Sequence, residues 1–168
     1  YALRGWRGRV VAKSYQEAEY VIAITMTSKL SGTYNSAYLG SNECTNKVHV
    51  IDSKATSGTM RLLVDKAYEL MKQNLPFDKL CEKLEDYKNS LNLFFVLDTF
   101  ENLVKAGRMS KIAAFIASAL YIKPLCMAED GVIEVYEKPR TRKGALNRLI
   151  ESIDKKCPNT ENKKCIIG

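Results

Sequence analysis

The chain of 168 residues is 46% hydrophobic and 27% charged, the make-up of an ordinary globular protein of one domain with a small second lobe. No stretch approaches the roughly 20 apolar residues of a membrane span, and "YALRGWRGRVVAK" at the start lacks the apolar core of a signal peptide, so a cytoplasmic setting is expected. A formal charge of +7 without a recognition motif, and five cysteines without a C-x-x-C pair, argue against a nucleic-acid partner, a disulfide framework and a zinc site. The cysteines are expected as small buried hydrophobes.

In chain order, residues 21–25 read as a short strand, 33–39 as a short helix, and 47–51 as a second strand bounded by Asn46 and Asp52. Met60, Leu63, Ala67, Leu70 and Met71 recur at helical spacing behind Ser57-Gly58. Another helix follows Pro76, with Leu80, Leu84, Tyr87 and Leu91 on one face. Strand, helix, strand, helix predicts a parallel sheet with crossover helices. "LFFVLDTF" then reads as a buried strand whose Asp98 or Thr99 caps a short helix ending before Gly107. Ser110 can cap an apolar helix carrying Ile112, Phe115, Ile116, Ala119 and Leu120. "YIKPLCMAE" and "VIEVYEKP" flank Asp130-Gly131, a pair that favours a tight hairpin. A final helix sets Ala145, Leu146, Leu149, Ile150 and Ile153 on one face, and "KKCIIG" begins a last strand. An α+β lobe therefore follows the parallel one.

The segment "IAITMTSKLSGTYNSA" places hydroxyls and a glycine where the first strand gives way to the first helix. Ser31 can cap that helix, with Gly32 allowing a tight turn. The Ser31 hydroxyl and the N–H groups of Gly32 and Thr33 can equally hold a carboxylate at the positive end of the helix. A cap can also be a ligand group, so both readings stand together. Elsewhere there is no P-loop, no G-x-G-x-x-G and no G-x-S-x-G, and the single His49 lies mid-strand without an evident partner, which reads as structural.

"ITMTSKLSGTYNSA", "VIDSKATSG", "LVKAGRMSK", "YIKPLC", "DGVIEV" and "KPRTRKGAL" follow one another as in the DegV family of fatty-acid-binding proteins, which the chain resembles from residue 21 to 148. The resemblance implies a DegV-like α/β fold, with a parallel-sheet lobe over 1–98, incomplete at its N-terminus, and an α+β lobe over 99–168, incomplete at its C-terminus. It implies a cytosolic bacterial carrier, not an enzyme, that needs no cofactor or metal. Such a carrier binds a long-chain fatty acid, meets the membrane surface transiently and presents the carboxylate to a separate fatty acid kinase for acyl-phosphate formation.

On this resemblance Ser31 hydrogen-bonds the carboxylate, with Gly32, Thr33 and Ser28 beside it. Arg108 of G-R-M-S, and Arg140 and Arg142 of the basic segment with Lys138 and Thr141, would face the kinase or the forming acyl phosphate; Arg108 can also be a structural ion-pair partner. Phe95, Ile112, Phe115 and Ile116 are candidates to line the acyl chain, whose burial is worth about 0.8 kcal/mol per CH₂. Three departures stand out. No T-S-x-P-S motif precedes Val21, the family's later histidine segment is absent, and Lys29 replaces a usual glycine. The expectation is the middle of a longer protein. The competing reading is a small-molecule kinase or transferase, because the first lobe of the family resembles a lobe of dihydroxyacetone kinase.

Overall fold

The structure is a computed structural model that describes residues 18–108, 122–157, 161 and 163–168. Its described residues fall into two compact units, one running to Leu91 and taking in Ile166–Gly168, the other Asn92–Cys165. The first unit follows the expected alternation: β1 (Tyr20–Thr25), α1 (Thr33–Ser41), β2 (Lys47–Asp52), α2 (Ser57–Met71) and α3 (Phe77–Asn89). β1 and β2 pair in parallel from Tyr20↔Lys47 to Thr25↔Asp52, so both strands end level with each other. Parallel neighbours need a crossover, and α1 supplies it. Ile51, Ala67, Leu70, Leu80 and Leu84 form the core beneath the sheet, with Ile22, Ile24 and Leu75 packed against it.

Two side-chain contacts join β2 to α3, an ion pair of Lys47 with Asp78 at 2.7 Å and a hydrogen bond between His49 Nε2 and Glu85 at 3.1 Å. The lone histidine thus joins strand to helix. Met71 departs from its expected core position and is 61% exposed, because the buried stripe of α2 runs through Thr59, Leu63, Ala67 and Leu70. Leu91 lies beyond the last residue of α3. The strand expected over "KKCIIG" does not form, since no strand pairs with residues 163–168 among the described residues; Ile166 instead lies where a Cβ on Gly58 would meet it at 3.2 Å.

The second unit contains β3 (Phe94–Val96), α4 (Glu101–Lys105), β4 (Leu125–Glu129), β5 (Val132–Glu137) and α5 (Arg142–Lys156). β3 is half-buried and hydrogen-bonds antiparallel to β4, in the sheet β3-β4-β5. That pairing takes Asn92 onward into this unit, whereas the sequence reading set the break after Asp98. The β4-β5 hairpin turns through Asp130 and Gly131 at φ 48° and 83°, the left-handed pair that matches strand twist. α4 ends on Gly107 at φ 66°: Gly107 N–H donates to the Val104 carbonyl at 2.8 Å and Arg108 N–H to that of Leu103 at 3.0 Å. This is a Schellman closure, which a side chain at Gly107 would strain.

Neither expected residue caps α4: Phe100 holds its N-cap position without a side-chain cap, and the Thr99 Oγ1, one residue earlier, accepts from Glu101 N–H at 3.2 Å. α5 is capped by Thr141, whose Oγ1 accepts from Gly144 N–H at 3.0 Å. The apolar face of α5 is turned from the expected one. Ala145 and Ser152 are buried while Leu146 and Ile150 are 46% and 60% exposed. Five apolar residues span more than one buried stripe, and Ser152 enters the core because its hydroxyl donates to the Arg148 carbonyl at 2.7 Å. Ile112, Phe115 and Ile116, with their whole expected helix, lie outside the described residues.

Cys81 and Cys126 are buried as expected, but Cys44 and Cys157 are partly exposed and Cys165 is exposed. Burial pushes the Cys126 thiol up to about 12. A native state that keeps this proton, against an unfolded thiol ionising near pH 8.5, loses stability as pH rises from about 8.5 toward 12, by at most about 1.4 kcal/mol per pH unit. Iodoacetamide at pH 8 should label Cys165 in the native protein and Cys126 only after denaturant is added, as peptide mass spectrometry would read; native labelling of Cys126 would contradict its burial.

Candidate functional site

The two parallel strands end side by side, and the turns that leave them are hydrogen-bonded together. Ser53 N–H donates to the Thr25 carbonyl at 3.1 Å, and Thr27 N–H to that of Ala55 at 3.0 Å. Thr27 is buried and starts one helical turn: its carbonyl accepts from Leu30 N–H at 3.2 Å and Ser31 N–H at 3.1 Å, and its Oγ1 from Lys29 N–H at 3.2 Å. Ser28 N–H donates to both carboxylate oxygens of Asp52 at 3.2 Å. Every N–H from Thr27 to Ser31 therefore has an acceptor inside the protein.

Beyond the turn, the start of α1 is left available. Gly32, not Ser31, holds the N-cap position of α1, without a side-chain cap. Its φ of −74° is one that any residue adopts, which corrects the expectation that the glycine serves a tight turn. Among the described residues, a Cβ there would meet nothing within 4 Å. The Ser31 Oγ accepts from Thr33 N–H at 3.2 Å and lies 2.6 Å from Thr33 Oγ1. The two hydroxyls use one proton in that contact, so the pair keeps one proton to give. Thr33 and Ser31 thus hold each other in place, and the Thr33 N–H expected to meet a carboxylate is already spent on Ser31.

Ser28 enters this arrangement through its backbone. Lys29 is exposed beside the turn.

The cationic candidates belong to the second unit. Arg142 lies 3.7 Å and Lys123 3.2 Å from the Asp98 carboxylate, and Lys123 Nζ also donates to the Asp98 carbonyl at 3.1 Å. The "DTF", "IKP" and "RTRK" segments thus meet at one aspartate. Arg108 donates through Nη1 to the Ala106 carbonyl, closing the end of its own helix. Arg140 is exposed. Phe95 packs with Leu97, Leu103, Ile133 and Val135 on Phe100 and Cys126 in the core of this unit. Among the described residues, no group of His, Cys, Asp or Glu is placed to hold a metal ion and no helix is long and apolar enough to cross a membrane.

Residues 8–168 match the protein family described as "Uncharacterised protein, DegV family". The chain belongs to the DegV family. It is 37% identical over 149 residues to a DegV domain-containing protein of Streptococcus pyogenes serotype M1, covering 85% of this chain and 53% of that protein. The chain spans about half the length of the curated relatives it matches. A crystal structure of a DegV family protein from Ruminococcus gnavus with vaccenic acid superimposes with a TM-score of 0.84 at 31% identity, over 93% of this chain and 58% of that one. The Streptococcus pneumoniae Fatty Acid Kinase (Fak) B3 protein loaded with linoleic acid gives a TM-score of 0.80 at 32% identity, over 88% and 55%.

Asp52 and Asp98, expected only as a strand boundary and a helix cap, each gather groups from a distant segment, Asp52 from the Ser31 turn and Asp98 from Lys123 and Arg142. The signal available was only that each aspartate directly follows an apolar run, where an unpaired carboxylate has backbone N–H groups within reach.

Proposed function

We propose that this DegV chain is a fatty-acid carrier in which Ser31 and the Gly32 N–H hold the carboxylate of a long-chain fatty acid. The single observation that carries the reading is the hydroxyl pair of Ser31 and Thr33, 2.6 Å apart, beside Gly32 at the exposed start of α1. Two hydroxyls in contact use one proton between them and keep one to give, which at the positive end of a nine-residue helix suits an anion. Similar structures loaded with vaccenic and linoleic acid support a fatty acid as that anion.

The finer part of the proposal is presentation to a partner. A fatty acid kinase would act on the exposed carboxylate, making this chain a carrier that exchanges its cargo at the membrane surface in the cytoplasm and leaves catalysis to the other subunit. Similarity to a Fatty Acid Kinase (Fak) B3 protein supports this partner. Arg140 and Arg142 are exposed cations suited to it, and Arg108 has the lesser claim because it is tied to its own helix. Phe95, Ile112, Phe115 and Ile116 remain the proposed acyl-chain lining.

Mass spectrometry of an organic extract of the purified protein should find a long-chain fatty acid in about equimolar amount. Replacing Arg140 and Arg142 by Ala should then lower acyl-phosphate formation with added kinase and leave the bound fatty acid in place. A protein that neither retains nor takes up fatty acid overturns the reading; loss of fatty acid from the double variant would make the arginines structural.

A further inference from the structure

We infer that Asp52 is a positioning residue for the Ser31 site, acting on the ligand only through the turn that carries Ser31; this rests on the fatty-acid reading above. Asp52 closes β2 level with Thr25, the last residue of β1. From there its carboxylate takes Ser28 N–H on both oxygens at 3.2 Å, while Oδ1 also takes Lys54 N–H at 3.0 Å. One anionic group thereby anchors the first free N–H of the turn after β1 and the left-handed Lys54, at φ 52°, after β2.

The rest of the turn depends on that anchor. Ser28 leads into Lys29, whose N–H is taken by Thr27 Oγ1, and then into Leu30 and Ser31, whose N–H groups return to the Thr27 carbonyl. With Thr27 held by Ala55 and Ser28 by Asp52, the turn has one position, and Ser31 projects from its last residue. Freed of Asp52, Ser28 N–H would look to water and the turn could rotate about Thr27. The Ser31 side chain would then no longer be held in place beside Gly32.

Asp52 also carries a negative charge, which by itself opposes an anionic ligand. Its two effects on fatty-acid affinity therefore differ in sign, and a neutral replacement separates them. Asp52→Asn removes the charge and leaves one oxygen to serve two N–H groups; Asp52→Ala removes both acceptors. The affinity of wild type and variants for palmitic acid, and for hexadecanol of the same chain length, would be measured by calorimetry, with amide exchange at Ser28 in the ligand-free protein.

Positioning predicts that Asp52→Asn weakens palmitic acid binding about tenfold, the loss of one hydrogen bond's worth of alignment, and Asp52→Ala somewhat more. Hexadecanol binding should stay within about twofold, and exchange at Ser28 should quicken while that of Ile22 and Ile24 in β1 does not change. Tighter palmitic acid binding by Asp52→Asn would mean that charge repulsion dominates, and overturns the inference. Equal weakening of acid and alcohol would mark a structural role and overturns it too. A wild-type protein that binds neither ligand overturns the fatty-acid reading first, and the positioning role with it.

Discussion

Replacing Leu84 by Ala is expected to lower the stability of the first unit by about 2–5 kcal/mol. Leu84 is 0% exposed and packs with Ile51, Ala67, Leu70 and Leu80, drawn from β2, α2 and α3. The loss contains the transfer term of the deleted atoms and a second term for the hole they leave. The second should be large here, because the walls of the hole are held from outside. β2 is paired to β1 along its six residues, which resists its sinking into the space. Set against the 5–15 kcal/mol that usually separates a folded protein from its unfolded state, such a loss is a sizeable fraction. Urea unfolding followed by circular dichroism should show a lower midpoint with an unchanged slope. Val64→Ala on the same pair of helices, at a residue 50% exposed, should cost less than about 1 kcal/mol. A Leu84→Ala protein as stable as the parent would mean that the core is not built around this residue.

The same contacts mark what the sequence could and could not disclose. Leu63, Ala67 and Leu70 repeat at helical spacing because they share the buried face of the helix, so α2 was readable from its own residues. Asp130-Gly131 gave the hairpin for an equally local reason, the two left-handed backbone positions that the turn demands. The partner of β3 was not readable, since a run of apolar residues fits a parallel or an antiparallel neighbour alike and only β4 decides. The face of α5 failed for a related reason: Ser152 is polar to the eye and buried in fact, because its hydroxyl bonds back to its own helix.

At the candidate site, Ser31 could be picked out from its place at a strand-to-helix junction, and Thr33 from its nearness. What it takes to hold them could not. Ser28 and Asp52 are 24 residues apart, and they meet only because Thr25 and Asp52 are in register across two parallel strands. Register is a property of the pair, set by burial and connection length, and no period along one strand records it. Lys123 and Asp98, 25 residues apart, repeat the lesson in the second unit.

For Ser31 itself, replacement by Ala should weaken long-chain fatty-acid binding by about 1.5–3 kcal/mol, roughly 10- to 150-fold in the dissociation constant, the range for a hydrogen bond to a charged group. The sign and size follow from the hydroxyl's surroundings. Its oxygen already accepts from Thr33 N–H, and its contact with Thr33 Oγ1 leaves the hydroxyl pair one proton for a ligand; Ala removes the Ser31 hydroxyl from that pair without filling the space. Folding should suffer little, since Gly32 rather than Ser31 stands at the N-cap of α1. Ser28→Ala makes the contrast: Ser28 is held through its N–H, which the substitution keeps, so affinity should fall by less than about threefold. Thr33→Val should fall between the two, leaving Ser31 in place but without its hydroxyl partner. Calorimetric titration of palmitic acid into all three variants, each checked for native circular dichroism, would order them. If Ser31→Ala binds as tightly as the parent, the hydroxyl only stabilises the start of α1, and the carboxylate must be held elsewhere.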